Sequence, residues 1–352
     1  MFIGRILNIR PICLTIKKVH DMKTKELLNV LEKVKPGISS KNTNESMSYF
    51  YFSGKDVITY NDKISIQHPF QTEFSLFVNA NDFYKLISKI STDEIDVVEK
   101  NEKLNITAKT VRSSLSTIHD DEISKRIENL GDLLKEAKWN KLSDNFCNCL
   151  SLCFATASTQ ESAGTLTCVY VKDNICVSSD NSRVSYVTLD SPLEEMFIQA
   201  SEIKNLIAIE PKEYAISKSW LHFRNEDGCV FSIRKIEGSF PDFIQFFEFE
   251  GIQINFPKDI LEGINIASIL VDANDKVINI KIAKNFLILS AKSDGGQILH
   301  RSKIDYDDKE INFAINPEFI KEMMKHNTSI FVGKDKAKLT SDNFSMLTAF
   351  YG

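Results

Sequence analysis

FIQASEIKNLIAI, residues 197–209, decides how this chain is read. It has the pattern of a strand end, a capping turn and an amphipathic helix. Two other stretches repeat that grammar: residues 77–90 (FVNANDFYKLISKI) and 313–324 (FAINPEFIKEMM). In each copy an aromatic precedes an apolar residue at one fixed spacing: Phe77 and Phe83, Phe197 and Ile203, Phe313 and Phe319. An acid stands directly before the second residue in every case: Asp82, Glu202 and Glu318. Asn81, Ser201 and Asn316 followed by Pro317 are good helix-start residues, and acids there suit the positive end of the helix dipole. The spacing predicts three consecutive domains of one kind, an α+β chain built by repetition.

The bulk properties allow this. A chain of 352 residues suits two or three cores better than one. With 43% hydrophobic and 26% charged residues, it has the composition of an ordinary globular protein. No apolar run approaches the roughly 18 residues that span a bilayer, so no membrane partner is expected. The net charge of −5 argues against a surface that is basic all over, but permits one basic face on an acidic body.

Cys147, Cys149 and Cys153 raise the question of a metal, but no second cluster completes a tetrahedral set. Cys149 and Cys153 share a helix face with Phe146 and Leu150, the pattern of reduced core thiols, which points to the cytoplasm. Residues 1–21 carry Arg5, Arg10, Lys17 and Lys18 before the first acid, Asp21. They read as an extension, or as a start assigned too early, with Met22 the natural beginning.

Taken in order, residues 22–120 predict helix, strands, helix, strands. MKTKELLNVLEKVKPG places Leu27, Leu28, Leu31 and Val34 at helical spacing and stops at Pro36-Gly37. Residues 121–138 (DEISKRIENLGDLLKEAK) have no counterpart elsewhere and read as a linker helix or insertion. Residues 139–247 and 248–352 restart the helix–strands–helix–strands order, with strands expected at 269–271 and 344–351 among others.

No nucleotide-binding glycine loop, zinc-protease helix or nucleophile elbow occurs. The Ser-Asp-Asn tripeptides at 179–181 and 341–343 lack the elements that would make them catalytic and sit at strand turns. Asp272, Asn274 and Asp275 lack the glycine and glutamate of a calcium loop. No cofactor or metal is expected, and no acid–base constellation suggests an enzyme. The helix-borne lysines are more informative. Lys85 and Lys89 lie one turn apart, as do Lys321 and Lys325; Lys23, Lys25 and Lys33 mark the first helix, and Lys138, Lys141, Lys204 and Lys258 lie at or near others. Any one of these suits a solvated face, but recurrence at matching helices predicts a shared cationic surface for sequence-independent phosphate contact.

With three repeats, six helices and these lysines, the chain resembles the bacterial processivity sliding clamps, and more closely those of their phages, from about residue 22 to 352. MKTKELLNVLEKVKPG looks like the opening of phage clamps and VITYNDKISIQHPF like their next strands. VYVKDNICVSSDNSRVSYV resembles the segment that bacterial clamps write roughly as Ala-Thr-Asp-Gly-His-Arg-Leu, and GSFPDF matches their Phe-Pro-Asp-Tyr. The resemblance implies the DNA clamp fold, with two helices and two antiparallel strand groups per domain. It also implies a head-to-tail homodimer, a pseudo-sixfold ring around double-stranded DNA that tethers a replicative DNA polymerase and is placed by an ATP-dependent clamp loader. Domain two has the weakest helix, since Lys204 stands alone where each sister copy has two lysines.

The family's peptide pocket lies between domains two and three. Its lining carries over to Ser179, Asn181, Ser182, Arg183 and Val184, to Pro241, Gln245 and Phe246, and to Met346, Leu347, Ala349 and Phe350. Val184, Phe246, Met346 and Phe350 would hold an apolar anchor. The chain departs from the bacterial pattern at Asn181-Ser182 and in its terminal TAFYG. The subunit contact carries over to Arg112 and Leu115 on one side and Ile269 and Leu270 on the other. Gln297, Ile298, His300 and Arg301 stand where bacterial clamps place acids, so backbone pairing and apolar contact must replace ion pairs. The alternative is a monomeric scaffold that kept the fold without encircling DNA; a DNA-cutting enzyme is the remoter rival.

Overall fold

The computed structural model describes residues 21–39, 45–272 and 275–351. The expectation for residues 1–20 and the mention of Asn274 fall outside them. The described residues form two compact units, 1–137 with 226–232, and 138–225 with 233–352.

The first unit opens with β1 (Asp21–Lys23) and α1 (Thr24–Val34), followed by β2 (Tyr49–Phe52), β3 (Asp56–Tyr60), β4 (Ile64–Pro69) and β5 (Leu76–Asn79). Next come α2 (Ala80–Lys89), β6 (Glu94–Glu99), β7 (Lys103–Thr107), β8 (Arg112–Ile118) and α3 (Asp121–Glu136). Its strands run in the order β1-β6-β7-β8-β5-β2-β3-β4. α1 buries Leu27, Val30, Leu31 and Val34, while Leu28 is half-exposed, because the 3.6-residue period puts Val30 rather than Leu28 on the core side. α3 is the helix expected at 121–138; the Asp120 carboxylate caps it by accepting from Ile123 N at 3.0 Å.

The second unit holds β9 (Asn140–Lys141), α4 (Phe146–Cys153), β10 (Cys168–Ser179), β11 (Arg183–Gln199), α5 (Ile203–Ala208), β12 (Glu213–Ile216) and β13 (Trp220–Arg224); β14 (Val230–Arg234) is divided, its first three residues belonging to the first unit. It continues with β15 (Ile252–Asn255), α6 (Ile260–Ala267), β16 (Ile278–Ala283), β17 (Phe286–Ser293), β18 (Gly296–Lys303), β19 (Ile311–Ile315), α7 (Pro317–His326), β20 (Ser329–Val332), β21 (Lys336–Ser341) and β22 (Phe344–Ala349). Two of its sheets matter here: a six-stranded one, β10-β11-β22-β21-β20-β15, and a four-stranded one, β18-β17-β16-β19. The pairings within these two sheets are antiparallel, and the class is α+β.

Helix starts differ in detail from the sequence expectation. α2 is capped by Asn79, not Asn81: the Asn79 side chain accepts from Asp82 N at 3.1 Å. Ser201 caps nothing, because residues 200–202 form a 3-10 turn and its hydroxyl donates to Glu202 at 3.0 Å. Asn316 does cap α7, accepting from Glu318 N at 2.9 Å. Counted from these starts, the partner of Phe83 and Ile203 in the third copy is the buried Ile320. Phe319 is displaced by one residue and takes the Arg183 guanidinium over its ring at 4.1 Å. The strand expected at 269–271 is a 3-10 turn, Ser268–Leu270, that extends the end of α6; Ser268 Oγ donates to Ile264 O at 2.6 Å and holds the chain in helical curvature.

Candidate functional site

The join between β11 and β22 unites the second and third helix-and-strand groups, with Arg183 opposite Thr348, Val184 opposite Leu347 and Ser185 opposite Met346. Side chains alternate along a strand, so this register sorts the expected pocket residues into two sets. Val184 and Leu347 share one face. Arg183, Ser185 and Met346 belong to the other, where Arg183 meets Phe319 of α7 and Met346 is fully buried. Met346 is therefore core, not pocket lining. Phe350 is also engaged, stacked on Phe313 at 4.2 Å.

The turn before β11 is self-contained. Asp180 accepts from Ser182 N at 3.0 Å and Arg183 N at 2.8 Å, and its carboxylate takes the Arg183 guanidinium at 2.7 Å. Ser179 Oγ donates to Arg183 O at 2.7 Å, and Asn181 adopts a positive φ of 72°, a conformation asparagine tolerates. Ser182 O accepts from Ala349 N at 2.8 Å.

Over the Val184 face runs the connector GSFPDFIQFFEFE, residues 238–250. Phe240 stacks on Tyr170 at 5.1 Å, Phe247 lies 6.2 Å from Tyr186, and Phe249 lies 5.6 Å from Phe331. Lys338 donates to Phe247 O at 2.8 Å, and Lys336 lies over the rings of Phe246 and Phe249. With this strap in place Val184 and Leu347 are only 4% and 6% exposed. The open space lies beside them: a cavity of about 200 Å³ lined by Tyr170, Ile175, Val177 and Tyr186 of the sheet and by Phe240, Pro241, Phe243 and Phe247 of the strap. Ile244 (57% exposed) and Phe246 (43%) stand on the strap, and Pro241 and Gln245 are exposed as well. Burial and a 2.6 Å hydrogen bond to Glu195 push the Tyr170 phenol up to about 12, so it stays neutral and the cavity floor stays apolar. The sequence reading named Pro241 and Phe246 of the strap but not Tyr170, Val177 or Tyr186. Simple alternation does not link Tyr170 to Val177, because they are seven residues apart and β10 shifts register at Asp173.

The lysines divide into paired and unpaired. Lys33 pairs with Asp227 at 2.9 Å, Lys141 with Asp144 at 3.0 Å, Lys321 with Glu318 at 2.7 Å and Lys325 with Glu322 at 2.6 Å. Lys23, Lys25, Lys85, Lys89, Lys138, Lys204 and Lys258 have no acid within ion-pair distance among the described residues, and all seven are exposed. Lys204 lies 5.4 Å from the Phe154 ring.

Two strand edges bear on the expected subunit contact, although β10, β15 and β19 also end their sheets. β8 pairs with β7 through Arg112–Ser116, but with β5 only at Thr117 and Ile118, so Arg112 and Leu115 lie on a half-free strand. β18 pairs only with β17. α6 lies close beneath β18 because Gly263 leaves room: a Cβ there would be 2.8 Å from His300 Nδ1. This places Ile269, 71% exposed, beside β18, where Leu299 is 66% exposed; Leu270 instead packs toward the Gly295-Gly296 turn. Leu299 is the interface candidate that the sequence reading missed.

Cys149 and Cys153 are fully buried on α4, and burial pushes the Cys153 thiol well up; its Sγ donates to Cys176 O at 3.5 Å. Among the described residues no His, Cys, Asp or Glu group is arranged to hold a metal, and no helix is long and apolar enough to cross a membrane.

Antiparallel sheets, three pairs of helices and a strand-to-strand join between successive groups define the DNA sliding-clamp fold. Solved structures establish that likeness over nearly the whole chain. A DNA polymerase sliding clamp from Pseudomonas aeruginosa superposes with a TM-score of 0.80 at 12% identity, covering 94% of this chain and 99% of that one. DNA polymerase III subunit beta from Borrelia burgdorferi, solved with a natural product, gives 0.80 at 17% identity and covers 94% and 98%. The beta subunit from Streptococcus pyogenes gives 0.78 at 18% identity and covers 94% and 99%. No protein-family model and no curated protein sequence matches the chain. The protein has the fold of the DNA polymerase III beta clamps.

Proposed function

We propose that this chain is a DNA polymerase processivity factor that works as a head-to-tail homodimeric ring around double-stranded DNA, without catalytic activity of its own. In this reading three clamp domains occupy residues 22–120, 139–247 and 248–352, and 121–138 is the linker helix or insertion. The observation that carries it is the clamp fold over 94% of the chain together with an unpaired edge on β8 and another on β18. Joining β8 of one copy to β18 of the next satisfies both rows of free backbone groups and covers Leu115, Ile269 and Leu299. Two such joints close a ring of six domains.

The partners follow from that arrangement: duplex DNA held without sequence preference, a replicative polymerase, and an ATP-dependent loader to open the ring, all in the cytoplasm. Polymerase and loader peptides would dock at the strap cavity, with an apolar anchor against Tyr170, Val177 and Phe243 and further contact with Ile244 and Phe246. One Pseudomonas aeruginosa clamp was solved bound to griselimycin, a precedent for small ligands on this fold.

The deciding measurement is solution mass with DNA retention. A ring gives twice 40.0 kDa and stays on circular duplex until the circle is cut. A mass of one chain at every concentration, without retention, sinks the proposal and favours the monomeric scaffold.

A further inference from the structure

α2 and α7 are sister helices with two lysines each, but the groups around those lysines are unequal. On α2, Lys85 and Lys89 lie one turn apart, opposite the buried Ala80, Phe83 and Ile87, and the helix holds a single acid, Asp82. Neither lysine has an ion-pair partner. On α7, Lys321 and Lys325 are each matched by a glutamate three residues before, Glu318 at 2.7 Å and Glu322 at 2.6 Å. Glu322 also lies 3.6 Å from His326. Acids therefore balance α7, and α2 keeps a positive excess.

The neighbouring helix α1 is itself balanced, Lys25 and Lys33 against Glu26 and Glu32, and the surplus beside α2 comes from Lys35 beyond its end. Lys25 on α1 is exposed and unpaired. Lys35, just past the end of α1, has its ammonium 3.9 Å from the centre of the Tyr84 ring on α2. The Tyr84 hydroxyl donates to Glu32 at 3.2 Å, so one aromatic ring ties the two helices together and holds a cation on its face. Lys33 is occupied by Asp227.

Attraction for a polyanion follows the net charge of a surface within about a Debye length, roughly 8–10 Å, not the number of lysines. A glutamate within 3 Å of each ammonium cancels most of the field that a phosphate further out would feel. The charge layout points to an uneven grip: duplex phosphates are held through the α1–α2 surface by Lys25, Lys35, Lys85 and Lys89, and α7 adds no net attraction. This refines the sequence expectation, in which domain two alone was the weak side. It rests on the clamp reading and goes beyond it by assigning which helices hold DNA.

The test compares paired variants of the full-length protein, measuring binding to a short linear duplex across a salt series and retention on circular DNA. Each lost phosphate contact flattens the log–log salt slope by about 1. Lys85→Gln with Lys89→Gln is expected to flatten it by about 2, and Lys321→Gln with Lys325→Gln to leave it unchanged. Glu318→Gln with Glu322→Gln unmasks the α7 lysines and is expected to steepen it. All six side chains lie at the surface, and circular dichroism checks folding. Equal or greater flattening from the α7 lysine pair, or no steepening from the glutamate pair, overturns the uneven grip. If the unmodified ring is still retained on circles, the clamp reading survives that result. An unmodified protein that neither binds duplex nor is retained overturns both.

Discussion

The β11–β22 join and the β18 edge are two solutions to one problem, and they differ in what finishes them. At the join, the chain supplies its own partner strand and then lays a phenylalanine-rich strap across it. Val184 and Leu347 end at 4% and 6% exposure. At β18 neither step is taken. The strand has one neighbour, no segment crosses it, and Leu299 and Ile269 stand 66% and 71% exposed. An exposed edge with apolar residues is an aggregation hazard unless something covers it. In the proposed ring, a second copy is what covers the bare edge.

That contrast breaks most visibly at the bare edge. Leu299→Asp with Ile269→Asp buries two carboxylates in each joint in place of apolar contact. The dimer dissociation constant should rise a thousandfold or more, a loss of about 4 kcal/mol or above. Sedimentation should show single chains whose own thermal midpoint is unchanged, since exposed positions move stability by only about 0.5 kcal/mol. A mass that stays at two chains would place the joint elsewhere. The sealed side answers in the opposite way. Met346 is fully buried between Ser185 and Leu339, so Met346→Ala should cost about 2–5 kcal/mol of folding stability, read by urea denaturation, while the folded protein keeps its dimer mass.

These sites were unequally legible in the sequence, for physical reasons. The amphipathic periods of α1, α2 and α7, and turns such as 179–182, are local; the repeated Phe and acid spacing suggested a threefold order, although two of its cap residues and its third apolar position fall elsewhere. Which face of β22 meets the strap is not local. It depends on pairing with β11 across more than a hundred residues, and a shift of one residue exchanges Met346 with Leu347. Leu299 alternates like any strand leucine, and only the missing neighbour of β18 shows that its outward side is bare. The α7 ion pairs were readable in principle, since Glu318 and Glu322 precede their lysines at helical spacing; attention to the lysines alone missed them. The one-residue offset at Phe319 arises upstream of the helix, where Asn316 follows Phe313 by three residues while Asn79 follows Phe77 by two.

Acid weakens the body that carries the sealed join. His222 on β13 is fully buried, and desolvation lowers its pKa to about 4 from an ordinary 6.5. Above pH 6.5 the imidazole is neutral in both folded and unfolded chains. Below it the unfolded chain binds a proton that the folded chain refuses until about pH 4, so stability is full above 6.5 and lost as pH falls through that window. The loss between pH 7 and pH 5 should be about 2 kcal/mol, seen as a lower urea midpoint, and His222→Gln should flatten that slope. His68, lowered mainly by its own burial, contributes with the same sign in the first unit. An identical pH slope in His222→Gln would exclude His222 as the source.

The smallest expected effect separates sealing from recruiting on the strap itself. Phe240 and Phe247 lie against Tyr170 and Tyr186 and hold the strap to the sheet, whereas Ile244 and Phe246 project outward with little to support. The one intramolecular interaction of Phe246 with a cation is Lys336 at 5.7 Å, at the outer limit of a cation–π contact and worth about 0.5 kcal/mol at an exposed site. Phe246→Ala should therefore lower folding stability by no more than about 0.5–1 kcal/mol and leave dimer mass and circular-DNA retention intact. In the proposed clamp Phe246 serves as a contact for a partner peptide, and removing such an anchor costs about 1–2 kcal/mol of affinity. Binding of a short polymerase-tail peptide, followed by fluorescence anisotropy, should then weaken roughly tenfold in Phe246→Ala. If peptide affinity holds while stability falls by several kcal/mol, Phe246 belongs to the seal, and the strap closes the sheet without recruiting anything.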